Sequence, residues 1–138
     1  MIHVVDASVA VKWFVREDFS DEAVALRNSA AELHAPDWIM LEVAHAVLKK
    51  WRNGEVASEQ ARLMVRMLPA RMAHLHHAAA LVERALDIAI AIDHPVYDCL
   101  YLACAEMSGG VVVTADDEFL ASLKGTEFAN LARHLTDA

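Results

Sequence analysis

Four carboxylates, Asp6, Glu42, Asp98 and Asp116, lie far apart in a chain of 138 residues, each at a place from which the backbone could deliver it to one edge of a sheet. Asp6 closes the strand-like run Ile2-His3-Val4-Val5, and Asp116 follows Val111-Val112-Val113-Thr114-Ala115. The valine run carries no charge, as expected of a strand buried on both faces. A carboxylate just past such a strand stands where open parallel sheets hold their ligands. Asp98 falls in the first turn of a helix that Pro95 opens, and Glu42 sits among apolar neighbours early in the helix after the second strand. Four such groups cannot share a small space as bare anions: repulsion raises their pKa values unless a divalent cation is present. Oxygen-only ligands favour Mg²⁺ or Mn²⁺ over zinc, and a site of that kind performs phosphoryl transfer. Attack by water on a phosphodiester with loss of the 3′ oxygen would leave a 5′-phosphate and a 3′-hydroxyl. Ser8 and Thr114 are placed to orient carboxylates or waters. Plainer roles compete for the same residues: Asp6 and Asp116 suit helix N-caps, and Glu42 a surface position.

The elements that must position these acids follow from periodicity and punctuation. Residues 2–6 read as a strand and 7–15 as a helix; a second helix starts at Ser20 or Asp21 and runs to about residue 33. His34-Ala35-Pro36 is a short extended segment, because Pro36 biases Ala35 away from helix. Asp37 then caps a long helix to about Arg52 that Gly54 ends, and residues 58–68 form an amphipathic helix closed by Pro69. Residues 72–77, MAHLHH, read as a strand and turn. Alternation puts His74 and His76 on one face and His77 on the other, with no thiol or second histidine pair at zinc spacing, so surface and capping roles are expected. A helix from Ala78 to about Ile92 leads into the one opened by Pro95, which Gly109 and Gly110 stop. Beyond a short helix after Asp116, residues 128–135 are ambiguous and include a candidate edge strand. Alternation of strand and helix makes the class α/β, with a short, mostly parallel sheet and crossover helices on both faces. The whole of 1–138 reads as one domain, without repeat, linker or low-complexity segment.

Composition narrows the function. The formal net charge of −8 argues against simple binding of a polyanion through clustered Lys and Arg, unless bound cations reverse the sign locally. The apolar run Ile88–Ile92 is far short of the roughly 18 residues of a membrane span and reads as a buried helix, so no membrane partner is expected. No basic segment precedes a long apolar core at the N-terminus, which argues against a secretory signal. Cys99 and Cys104, five apart on one helix, are out of reach of a disulfide, and two reduced thiols point to the cytoplasm.

Taken in order, Asp6-Ala7-Ser8-Val9 with Lys12-Trp13-Phe14, the Pro36 to Glu42 segment, the run from Tyr97 to Ala103 and Val113-Thr114-Ala115-Asp116 resemble a PIN-domain ribonuclease, in particular the VapC-type toxins of toxin-antitoxin pairs. Each motif alone is weak; the ordered set covers nearly the whole chain. The resemblance implies an α/β/α sandwich, Mg²⁺- or Mn²⁺-dependent cleavage of RNA, a homodimer, and inhibition by a small antitoxin protein whose C-terminal part covers the acidic pocket. By position, Asp6, Glu42, Asp98 and Asp116 match the family's acidic ligands. Two places depart from the pattern: His45 stands where Asn is common, and Asp117-Glu118 where a basic residue is common. Asp117 is either an added ligand or a carboxylate favoured by the helix N-terminus, and the dipole argument favours the second.

Three other functions can be weighed. An inactive PIN-like module that only binds protein or RNA would have little need of all four acids. An aspartyl phosphatase would want a second acid two positions after Asp6, where Ser8 stands. A receiver domain would want an acidic pair at the end of the first strand and a late lysine after another. Lys12, Arg16, Lys49, Lys50 and Arg52 are candidate phosphate contacts, though a solvated face accounts for them equally.

Overall fold

The computed structural model describes residues 1–138. Its strands are β1 (Ile2–Val5), β2 (Glu32–Pro36), β3 (His74–His76), β4 (Val111–Thr114) and β5 (Ala132–His134). They form one sheet in the order β3-β2-β1-β4-β5, and every pairing is parallel. Parallel neighbours need crossovers, supplied here by α1 (Ala7–Ala10), α2 (Ser20–Arg27), α3 (Ile39–Arg52), α4 (Ser58–Met67), α5 (Val82–Ile92), α6 (Val96–Ser108) and α7 (Asp117–Leu123). The class is α/β, as expected, and the sheet is parallel throughout rather than mostly so. The order builds outward from β1 in both directions, so β1 and β4 flank the switch point at which such sheets hold ligands.

Helix α6 is the central support. Every residue from Cys99 to Ala105 is buried, and the helix packs across β1, β2 and β4. Cys99 and Cys104 are both free thiols in that buried stretch. Gly110 admits β4 to this layer, because a Cβ there would meet the Ile2 carbonyl oxygen at 2.8 Å. Helix α5 meets α6 at a bend of 115°, and Asp93 ends α5 in the left-handed region with φ +52°. No single helix is long and apolar enough to cross a membrane.

Several boundaries differ from the sequence reading. The helix expected over 7–15 is a single α turn followed by a 3₁₀ turn, Val11–Trp13. Helix α2 stops at Arg27: the Ser29 hydroxyl donates to the Leu26 carbonyl and accepts from the Ala31 N–H, turning the chain so that residues 32–36 pair with β1. Asp37 does not cap α3. Its carboxylate accepts the Ala78 N–H across the sheet end at 3.0 Å, and Trp38 occupies the cap. The helix expected from Ala78 begins as a 3₁₀ turn, Ala78–Ala80, before α5. The apolar run Ile88–Ile92 is only half buried; Ile90 is 72% exposed, on a stripe with Val82 and Leu86. The candidate edge strand in the tail is real and forms β5.

Candidate active site

Parallel β1 and β4 end side by side, with Val5 opposite Val113, and their next residues build the floor of the site. Asp6 caps α1, its Oδ1 accepting the Val9 N–H at 3.3 Å and the Ser8 hydroxyl at 2.6 Å. Its other oxygen accepts the Thr114 hydroxyl. That same Thr114 oxygen accepts the Asp116 N–H at 3.0 Å, and the Ser8 oxygen accepts the Ala115 N–H at 2.9 Å. Two hydroxyls, Ser8 of α1 and Thr114 at the end of β4, thus lock the β1–α1 and β4–α7 connections together.

Two further acids reach this point from helices. Glu42 lies one turn into α3, where the buried Tyr101 hydroxyl of α6 donates to its Oε1 at 2.6 Å. Asp98 lies in the first turn of α6, with the His94 Nε2 2.7 Å from its Oδ2. Burial pushes the Asp6 carboxyl from 3.8 up to about 6, against the hydrogen bonds from Ser8, Thr114 and Val9, with the charge on Asp98 adding to the rise. Burial also raises Glu42, and the charges on Asp6 and Asp98 push the same way. Asp6, Glu42 and Asp98 therefore share one electrostatic field.

Asp116 stands at the same sheet end, but its carboxylate is exposed and turned to the Phe119 N–H at 3.1 Å, as an N-cap. Asp117 is farther out: its side chain is 91% exposed and lies 3.9 Å from the His134 ring. As placed, each of the four principal acids is turned to its own local donor, and no three of them surround a common point in coordinating geometry. Asp6, Glu42 and Asp98 nevertheless present an all-oxygen donor set in which neighbouring charge adds to the rise of Asp6 and Glu42, and this suits a hard divalent cation.

Sequence reasoning passed over the two donors that hold these acids. The His94–Asp98 pair has helical i, i+4 spacing and was open to detection on that ground. Tyr101 and Glu42 are 59 positions apart, and nothing local links them. Tyr101→Phe is expected to lower divalent-ion affinity and turnover by about tenfold, since partners that orient a ligand are worth about 10–100-fold. Mn²⁺ calorimetry on the variant checks this, and unchanged affinity would assign Tyr101 to packing alone.

Beside Glu42 a cleft of about 530 Å³ is lined by Ala7, Trp38, Leu41, His45 and Tyr97. Trp38 and Tyr97 stack there, centroids 5.5 Å apart and planes 17° apart. Most of the basic residues considered for phosphate contact are engaged elsewhere. Glu17 takes Lys12 at 3.0 Å and Lys50 at 3.1 Å, and Asp21 takes Arg16 at 2.6 Å. Lys49 makes no ion pair and lines the cavity next to Ser8.

This sheet order, with acids at its switch point, defines an α/β protein of the kind that binds ligands at the carboxyl end of its strands. The PIN domain family model matches residues 3–122, and the chain belongs to that family. It is similar to Ribonuclease VapC3 of Pyrobaculum aerophilum, with 33% identity over 115 residues, 82% of this chain and 88% of that protein. The fold resembles the crystal structure of PAE2754 from Pyrobaculum aerophilum, with a TM-score of 0.69 and 23% identity over 99% of this chain and 85% of that one. It also resembles VapBC2 from Rickettsia felis, solved bound to a promoter DNA fragment (TM-score 0.66, 13% identity, covering 97% of this chain and 98% of that one). A third likeness is to VapBC-1 from nontypeable Haemophilus influenzae (TM-score 0.62, 14% identity, 99% of each chain).

Proposed function

We propose that the protein is a VapC-type endoribonuclease, the toxin of a toxin-antitoxin pair, whose Asp6, Glu42, Asp98 and Asp116 hold Mg²⁺ or Mn²⁺ and cut RNA phosphodiester bonds. The observation that carries this reading is the meeting of Asp6, Glu42 and Asp98 at the β1–β4 switch point, where the charge on Asp98 adds to the rise of the Asp6 carboxyl and the charges on Asp6 and Asp98 add to that of Glu42. Similarity to a protein named a ribonuclease, and fold likeness to two VapBC complexes, support it. Likeness to the two VapBC complexes supports an antitoxin protein as partner; a homodimer as the working form and action in the cytoplasm belong to the same proposal.

When bound, the divalent ion would offset the acids' charge and acidify a water for attack on phosphorus. The chain's own contribution is orientation. Ser8, Thr114 and the Val9 N–H fix Asp6, Tyr101 fixes Glu42, and His94 stands against Asp98. Asp116, the N-cap of α7, would complete the ligand set, and Asp117 serves the helix terminus. The Trp38–Tyr97 stack offers an apolar wall next to Glu42 on which an unpaired base can lie.

Incubation of the purified protein with RNA in Mg²⁺ or Mn²⁺ is expected to yield fragments with 5′-phosphates, with no cleavage in chelator. Absence of cleavage together with tight RNA binding would identify a binding module instead. Trp38→Ala and Tyr97→Ala are each expected to raise KM for RNA by about tenfold with kcat little changed, since stacking on one aromatic contributes about 1–3 kcal/mol per base. An unchanged KM in both variants would remove the stack from substrate binding.

A further inference from the structure

We propose that His34, His74 and His76 form a separate, imidazole-based site for a borderline transition-metal ion such as Zn²⁺, Ni²⁺ or Co²⁺ at the β2–β3 edge of the sheet. Two of these residues were visible as a pair on one face of β3. The third comes from the neighbouring strand, because the parallel register sets His34 opposite His74. Residues two apart on a strand share a face, so His74 and His76 flank the His34 ring. The ring centres lie 5.3 Å apart for His34 and His74, 5.1 Å for His34 and His76, and 5.3 Å for His74 and His76. Three imidazoles around a tetrahedral ion, with metal–nitrogen bonds of about 2.0–2.1 Å, place their ring centres about 5.2 Å apart.

The surroundings hold His34 in place. The His34 Nδ1 and His76 Nε2 are 2.9 Å apart, and Glu32 stands 3.1 Å from the other nitrogen of His34. A carboxylate on the distal nitrogen is the usual device that orients a metal-bound imidazole. His34 is 5% exposed and held in place, whereas His74 is exposed and gives an ion entry. As placed, the three rings are not arranged to hold an ion. His34 and His76 face each other across a shared hydrogen, and the His74 and His76 planes are only 19° apart. Binding would replace that hydrogen with the ion and turn the exposed His74 ring toward it. Imidazole nitrogen favours zinc, nickel or cobalt, whereas the oxygen site at the switch point favours magnesium or manganese. The ion would clamp β3, a three-residue edge strand that pairs only with β2.

The test titrates Zn²⁺ and Co²⁺ into the wild-type protein, Asp98→Asn, and the double variant His74→Ala/His76→Ala. Wild type and Asp98→Asn are expected to bind one equivalent of Zn²⁺, to melt at higher temperature with it, and to give the visible absorption of tetrahedral Co²⁺. The double variant is expected to lose at least about tenfold in affinity, together with the melting shift. His74→Ala alone, altering an exposed ring, serves as the check that the loss is not a folding defect. The inference fails if wild type binds no Zn²⁺, if Zn²⁺ binding survives in the double variant, or if Asp98→Asn abolishes it, which would place the ion among the acids.

Discussion

Asp98→Asn and Asp6→Asn are each expected to lower RNA cleavage by at least about a hundredfold while leaving the fold intact. Each replaces an anionic oxygen with a neutral amide, and the loss of a proposed ligand should exceed the roughly 10–100-fold cost of losing a partner that merely orients one. Fold retention is expected because the removed charges are destabilising. Asp98 raises the pKa of both Asp6 and Glu42, so an amide at that place relieves repulsion. Single-turnover cleavage assays with circular dichroism on the same preparations decide the matter. Cleavage within about threefold of wild type in both variants, with contaminating nuclease excluded, would remove this site from catalysis.

The second large effect is on stability, and its sign is opposite to that of most buried-site substitutions. Burial raises the Asp6 carboxyl from 3.8 to about 6 in the metal-free protein. A carboxyl with a raised folded-state pKa contributes stability that is fully present below the unfolded value and is lost as pH rises through the folded one. The metal-free wild type should therefore lose stability from this group between about pH 4 and pH 6. A rise of roughly two units corresponds to about 3 kcal/mol. Asp6→Asn avoids that loss but weakens the Thr114 hydrogen bond, at about 1 kcal/mol, so a net gain of about 2 kcal/mol above pH 6 is expected. Urea unfolding of both proteins in chelator across this range measures it. Added Mn²⁺ should stabilise wild type and leave Asp6→Asn nearly unmoved. A variant that is less stable than wild type at pH 7 in chelator would contradict the stated electrostatics.

What the sequence disclosed about the site came from strand ends and helix starts. Asp6 and Asp116 were legible because valine-rich runs fix β1 and β4, and the first residues after each must lie at the sheet's carboxyl end. Asp98 was legible because Pro95 and Gly109 bracket α6. The misplaced end of α2 has a different origin. Residues 28–33 carry no Gly or Pro; Ser29 makes the turn through local bonds, but the strand from Glu32 depends on pairing with β1, a contact no local pattern contains. Asp37 was read as a cap on local grounds, yet its partner is Ala78, 41 positions away. Tyr101 and His34 were passed over for the same reason: one acts across the helix layer, the other across the strand register. Local chemistry reveals which residues stand at an edge, whereas tertiary pairing decides what holds them there.

Anomalous diffraction from a crystal of the protein soaked in Mn²⁺ tests the central claim most directly. A peak is expected at the β1–β4 switch point, held by carboxylate oxygens of Asp6, Glu42, Asp98 and Asp116. A fully soaked crystal with no peak at the β1–β4 switch point, or with its manganese bound elsewhere, would contradict the account.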